Sequence, residues 1–251
     1  MRLVAPEPRR CRCALERWDQ YAVCRRAFRA AARALSLGIN GYDPWGSFIQ
    51  NRTHLVPQTF DCFNTNKPVD FPNTFSPICV GPSKGMSEGH SYTTLSELLV
   101  GATKGSVLVK MDIERSEFEV LLGLTESDWA RIGSLHVEYH MNYECPSEQE
   151  WFMIQRVLWR ARQNLAVVDA AAGYYAPHCT LEGSIIPKLF AVSYVAESLC
   201  GPHRASGQNS SRESGQVAST GAKKAANASN IQAGSAPGAA NASAGNPETV
   251  G

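Results

Sequence analysis

The run SVLVKMDI, residues 106–113, passes without a break into ERSEFEVLLGL, where Phe118, Leu121 and Leu122 are spaced for one helix face. An apolar run too short for a buried helix, feeding straight into a helical period, reads as a strand buried on both sides and followed by its covering helix. That βα unit constrains the chain more than any other stretch. Parallel strands need crossovers, and crossover helices cover a sheet on both faces. The strand also ends on acids. Alternation puts Asp112 and Glu114 on one side, where two carboxylates need water, a cation or a ligand before them.

The flanking segments repeat the pattern. ALSLGI (34–39), THLVPQTF (53–60), FSPICV (75–80), SLHVEYH (134–140), LAVVDA (165–170) and KLFAVSYV (188–195) supply further strands. Helices are expected over 16–35, 44–52, TTLSELLVGA and 147–164. Ser91 or Thr93 would cap the third of these, and Ser147 with Gln149 or Glu150 the fourth. The alternation predicts an α/β fold, a doubly wound and mostly parallel seven-stranded sheet with strand four between strands one and five.

Composition divides the chain in three. Residues 1–33 carry nine arginines against three acids, and are expected to form an arginine-rich segment with a solvated helix. Residues 34–200 form the folded domain. Residues 201–251 are rich in Ala, Gly, Ser and Asn and contain no Phe, Trp or Tyr, a composition unable to offset its ordering entropy. A net charge of +1 selects no class of partner, and the basic segment lacks the aromatic interleaving of a single-strand nucleic-acid binder. No run is long enough to span a membrane, and MRLVAPEPRRCRC lacks a signal-peptide core. A cytoplasmic location is therefore the default expectation. The sequons at Asn51, Asn209, Asn227 and Asn241 matter only if a leader precedes this start. The eight scattered cysteines contain no CxxC pair. The CxC at Cys11 and Cys13 would need two more ligands to hold zinc, so loop thiols or a disulfide are expected.

The chemistry-bearing residues fall at strand ends. Gly38, Asn40 and Gly41 follow strand one in SLGINGYDP, where a tight turn lets backbone approach a ligand. Asp61 ends strand two about twenty residues on, the spacing of an acid that grips ribose hydroxyls, although a loop cap explains it equally well. In HVEYH, residues His136, Glu138 and His140 share a face. His136 is expected to be a satisfied structural histidine. Glu114 is equally well read as the first acid of a helix N-terminus.

SLGINGYDPWGSF, QTFDCFN, SPICVG, VKMDIERSEFEVL and LHVEYH, in this order, resemble the FkbM-type S-adenosylmethionine-dependent methyltransferases, over roughly residues 20–195. Where that family carries glycine this chain has Arg115. The resemblance implies a Rossmann-like class I methyltransferase fold and S-adenosyl-L-methionine as cofactor. It further implies methylation of a hydroxyl oxygen on a small-molecule or glycan acceptor. On this basis Gly38, Asn40 and Gly41 would line the methionine moiety and Asp61 would hold the ribose. Asp112 would lie near the sulfonium, with Glu138 and His140 toward the acceptor. His140 would be the base at neutral pH. Two alternatives stand beside it: a methyltransferase fold that binds without turnover, and a metal-dependent variant using Asp112, Glu138 and His140.

Overall fold

A computed structural model describes residues 11–141, 145–172, 178–181 and 183–201. The expected low-complexity tail, from residue 202 on, lies outside the described residues.

The chain does not form the helix expected over 16–35. It makes a hairpin, β1 (Leu15–Trp18) and β2 (Tyr21–Cys24), and then a short helix α1 (Arg25–Ala30). Asp19 in the turn has φ 50°, a conformation that no helix interior holds. All four residues of β2 are buried, and that burial outweighs the helix propensity of the alanines and arginines around it. The hairpin thus belongs to the folded domain rather than to a separate arm.

There follow β3 (Arg33–Leu37), α2 (Pro44–Thr53), β4 (Gln58–Phe60) and β5 (Thr74–Ser76). Next come β6 (Cys79–Val80), β7 (Gly85–Ser87), β8 (His90–Thr93) and α3 (Leu95–Leu99). Then come β9 (Val107–Met111), α4 (Glu117–Leu122), α5 (Glu126–Arg131) and β10 (Ile132–His140). Last are α6 (Glu148–Asn164), β11 (Leu165–Ala172), β12 (His178–Leu181), β13 (Ser184–Pro187) and β14 (Leu189–Ala196). The strand expected over 53–60 starts only at Gln58, because α2 runs through Thr53 and Pro57 precedes. The one expected over 75–80 is broken at Pro77. Its first part stays in the main sheet, and Cys79–Val80 pairs with β8 instead. Thr94 caps α3, since Ser91 and Thr93 belong to β8. Ser147 and Glu150 form the expected capping box of α6.

Seven strands form one sheet in the order β11-β14-β10-β9-β3-β4-β5. Counted along the chain this is 6-7-5-4-1-2-3. β5, β4, β3, β9 and β10 are parallel neighbours, and β14 runs antiparallel to both β10 and β11. β9 lies between β3 and β10, as expected from its apolar run. The order turns back on itself between β3 and β9, where open α/β sheets form a crevice beyond their carboxyl ends. Among the described residues, no helix is long and apolar enough to cross a membrane.

The two faces of the sheet differ. One carries Leu35, Leu37, Val109, Met111, Leu135, Val137 and Tyr139 against Phe118, Leu121, Trp129, Ile154 and Val157 of α4, α5 and α6. The other packs Ala34, Leu108, Ala166, Ala191 and Val195 against Tyr21, Cys24, Ala27, Trp45 and Ile49 of the hairpin, α1 and α2. A row of buried polar residues crosses this second face. Ser36, Lys110, His136 and Ser193 are cross-strand partners in turn. Each polar member has a partner, as buried polar groups require. Ser36 donates to Asp43, Lys110 to the Gly38 carbonyl, and the His136 ring meets Ser134 and Ser193. Ser193 Oγ also accepts from the Ala22 amide, which pins the hairpin to the sheet.

His136 is the satisfied structural histidine expected. Complete burial pushes its pKa from 6.5 down to about 3. The neutral ring therefore contributes stability that is whole above pH 6.5 and lost as pH falls toward 3. In that window this group alone should lower the unfolding free energy by about 1.4 kcal/mol per pH unit. Urea titrations from pH 7 to pH 4 should show this slope in the native chain and lose it in His136→Gln. Parallel slopes in the two would refute the assignment.

Candidate active site

Two cavities open at the carboxyl end of the sheet, on either side of the β3–α2 turn. The larger, about 800 Å³, is lined by Phe60, Asp61, Ile78, Val80 and Tyr92, with residues 112–116 on the far wall. The smaller, about 300 Å³, lies beneath the hairpin and is lined by Trp18, Gln20, Tyr21, Tyr42, Lys110 and Glu138, among others. Gly38, Asn40 and Asp112 line both.

Gly38 is fixed by geometry. Its φ is 73°, and a Cβ there would sit 1.6 Å from the Asp112 carbonyl oxygen. The turn can run beside β9 only without a side chain. Gly38→Ala should cost about 3 kcal/mol, because it combines an unfavourable φ with a backbone collision. A urea midpoint unchanged by this substitution would show that the turn is more yielding than the packing implies. Asn40 has φ 48° and accepts from the Asn64 amide at 3.0 Å. Gly41, at φ 75°, leaves room for Asn64 but lines neither cavity, so it shapes the loop rather than a ligand site.

Asp61 faces the larger cavity, but its oxygens are already engaged. Oδ2 accepts from the Ile39 and Asn40 amides at 3.0 and 2.7 Å, and Oδ1 from Phe63 and Asn64 at 3.0 and 2.9 Å. The four backbone bonds fill its acceptor capacity and make it the clasp between the β3 and β4 loops. This is the loop-capping role that the residue type also allowed.

Asp112 follows the last residue of β9 and receives Lys110 Nζ at 3.0 Å. The lysine is nearly buried and also donates to the Gly38 carbonyl at 2.5 Å, which ties the turn to the acid. Glu114 does not start the following helix. It is exposed at φ 52°, and Arg115 follows at φ 84°. The position where the resembled family carries glycine thus has a backbone that suits glycine. Glu117, wholly buried at the start of α4, takes the place expected for Glu114. Its Oε1 accepts from the Ile113 amide at 2.9 Å and lies 3.0 Å from His140 Nδ1.

His140 is not placed as a base. It lines neither cavity, and its Nε2 lies 3.8 Å from both Asp112 Oδ1 and Glu114 Oε2. Burial alone would lower its pKa. The bond and charge of Glu117, with the charges of Glu114 and Asp112, outweigh burial and raise it to about 9. The ring is an imidazolium at neutral pH and has no lone pair to take a proton. Asp112, Glu114 and His140 bring one ligand atom each within 4.8 Å of one another. Glu138 is not in that group, so the metal set expected from Asp112, Glu138 and His140 is not assembled.

Glu138 belongs to the smaller cavity. Its Oε2 accepts from Gln20 Nε2 at 2.7 Å. Burial raises its pKa, and the Asp112 charge adds to this, while His140, Gln20 and Lys110 oppose. Tyr21, 2% exposed, packs edge-on against His136, and its hydroxyl is held neutral by burial beside Glu138 and Asp112. Sequence reasoning missed Gln20, Tyr21, Lys110 and Glu117. Only Lys110 left a signal: a lone cation inside a central apolar strand must have a buried partner.

The described cysteines form three bridges, Cys11–Cys200, Cys62–Cys79 and Cys145–Cys179, with Cys13 and Cys24 as free thiols. The expected alternative to zinc at Cys11 is thus a disulfide. Searched against protein-family models the chain matches none, and no curated protein matches it either.

Proposed function

We propose that the chain is an S-adenosylmethionine-dependent methyltransferase with a class I, Rossmann-like domain, acting on a hydroxyl oxygen. The observation that carries this is the meeting of two cavities at Asp112, beyond the carboxyl ends of β3 and β9. A group transfer needs a donor chamber and an acceptor chamber sharing one wall. The larger cavity suits the cofactor. Its volume lies within the range of small-molecule sites, Phe60, Ile78 and Tyr92 offer apolar surface for a purine, and Gly38 admits close backbone approach.

S-adenosylmethionine, when bound, supplies the methyl group. Asp112, which lines both cavities, would present a carboxylate to the cationic sulfur and to the acceptor. Glu138 would take the proton of the acceptor hydroxyl as the methyl group passes from sulfur to that oxygen; its raised pKa makes it the better base, and His140 is already protonated. His140 and Lys110 hold Asp112 in place between them. Asp61 acts indirectly, by holding the Ile39 and Asn40 amides at the cavity wall. The three disulfides support an oxidising compartment over the cytoplasm.

The filled oxygens of Asp61 favour one second reading, a fold that binds its ligand without turnover. Calorimetric titration with S-adenosylmethionine and S-adenosylhomocysteine tests the first claim, and methyl release to an acceptor separates the two readings. The expected result is binding that EDTA leaves unchanged. Binding abolished by EDTA would point to a cation at Asp112, Glu114 and His140. Absence of binding to both nucleosides would remove the methyltransferase reading.

A further inference from the structure

The smaller cavity has a lining that methyl transfer alone does not require. Four aromatic residues line it: Tyr21 and Trp45, both buried, Trp18 at the end of β1, and Tyr42 before α2, which is 63% exposed. Carboxylates line it at Asp19, Asp43, Asp112 and Glu138, with the Gln20 amide among them. Lys110 is the one cation among its lining residues, and it is committed to Asp112 and the Gly38 carbonyl.

We infer that this chamber holds the ring of an uncharged sugar, so that the methyl acceptor is a sugar hydroxyl. The inference rests on the methyltransferase reading above. Size limits the ligand first. A cavity of about 300 Å³ is at the lower bound for small-molecule sites, enough for one ring and its substituents. Charge limits it next. Four carboxylates and a spent lysine disfavour phosphates, uronates and other anions. An amine fits the charge but not the chemistry: carboxylates favour its ammonium form, which has no lone pair to receive a methyl group. A ligand with a single hydroxyl would leave most of the polar lining unmatched, whereas a polyol satisfies several carboxylate and amide groups at once. The apolar C–H face of such a ring packs on aromatic surface. Gln20 fixes one oxygen of Glu138 at 2.7 Å and leaves the other for a ligand hydroxyl.

The test uses the full chain and ligand-observed saturation-transfer NMR. The probes are methyl glycosides of glucose, galactose, mannose, fucose and N-acetylglucosamine. Methyl glucuronide, glucose 6-phosphate and phenethylamine serve as charged comparisons. Binding of S-adenosylhomocysteine is measured separately by calorimetry. One or more neutral glycosides should bind in preference to all three charged probes. Tyr42→Ala and Trp18→Ala should each weaken that binding tenfold or more and leave S-adenosylhomocysteine affinity within twofold. Tyr42 is exposed, so its variant remains informative if Trp18→Ala fails to fold. Cofactor binding without any glycoside signal, or a charged probe bound more tightly than every glycoside, overturns the sugar assignment and leaves the methyltransferase reading intact. Glycoside binding that the variants reduce, in a chain that binds no cofactor, keeps the sugar site and overturns the methyltransferase reading. Glycoside binding unaffected by either variant overturns the placement in this chamber.

Discussion

Replacing Cys11 and Cys200 together by serine should lower the melting temperature by about 10–20 °C. The bridge closes a loop of 189 residues, with its Cα atoms 5.0 Å apart. In the chain-entropy account a loop of that length is worth about 5 kcal/mol, somewhat less once the inner bridges shorten the free path. The folded chain gives the same place a local role. Gly201 donates to the Arg12 carbonyl at 2.8 Å, so the bridge fastens the segment before the hairpin to the segment after β14. The hairpin roofs the smaller cavity, so loosening its base should blunt acceptor binding before cofactor binding. Removing Cys62–Cys79, only 17 residues apart, should cost about 3 kcal/mol. The comparison is a thermal melt of each double variant. A Cys11/Cys200 variant melting within 2 °C of the parent would mean that the bridge adds nothing to what packing secures.

The parts of the fold legible in the sequence are those in which one physical signal acts alone. VLVKM is buried throughout, and an unbroken apolar run says so. Ser147 and Glu150 cap α6 through contacts three residues apart. The hairpin was illegible because its cause is distant. Tyr21, Ala22, Val23 and Cys24 are strand because the second sheet face receives them, including Ser193, 171 residues from Ala22. The alanines and arginines around them favour helix, and tertiary burial overrides that preference. The site divides the same way. Gly38 and Asp112, which line both cavities, stand out in the sequence because strand ends and turns leave local marks. The pairing of Glu138 with Gln20, 118 residues apart, leaves none. For His140 the sequence suggests a neutral-pH base, whereas its surroundings in the fold raise its pKa to about 9. Its charge depends on Glu117, whose complete burial could not be told from that of the other acids in DIERSEFE.

Glu138→Gln should lower turnover by about 10²–10⁴-fold while cofactor affinity stays within a few-fold, under the methyltransferase proposal. Glutamine keeps the size of the side chain and can still meet Gln20, but it cannot accept the hydroxyl proton. Asp112→Asn should also cost more in turnover than in cofactor binding. Its carboxylate lies between both cavities, and the neutral amide would neither oppose a cationic sulfur nor balance the charge of Lys110. Asp61→Ala should act differently. It removes four bonds to backbone amides, so its loss should appear in cofactor affinity and stability together, by about 1–3 kcal/mol. Glu114→Ala, at an exposed position, should change little. The pH profile separates base from imidazolium. If Glu138 takes the proton, activity should rise as that carboxylate ionises and stay level through neutrality. It should fall only as His140 loses its proton near pH 9 and frees Asp112. If His140 were the base, activity would instead climb toward pH 9. A climbing profile, with Glu138→Gln still active, would return the base to His140 and leave the smaller cavity without its catalytic carboxylate.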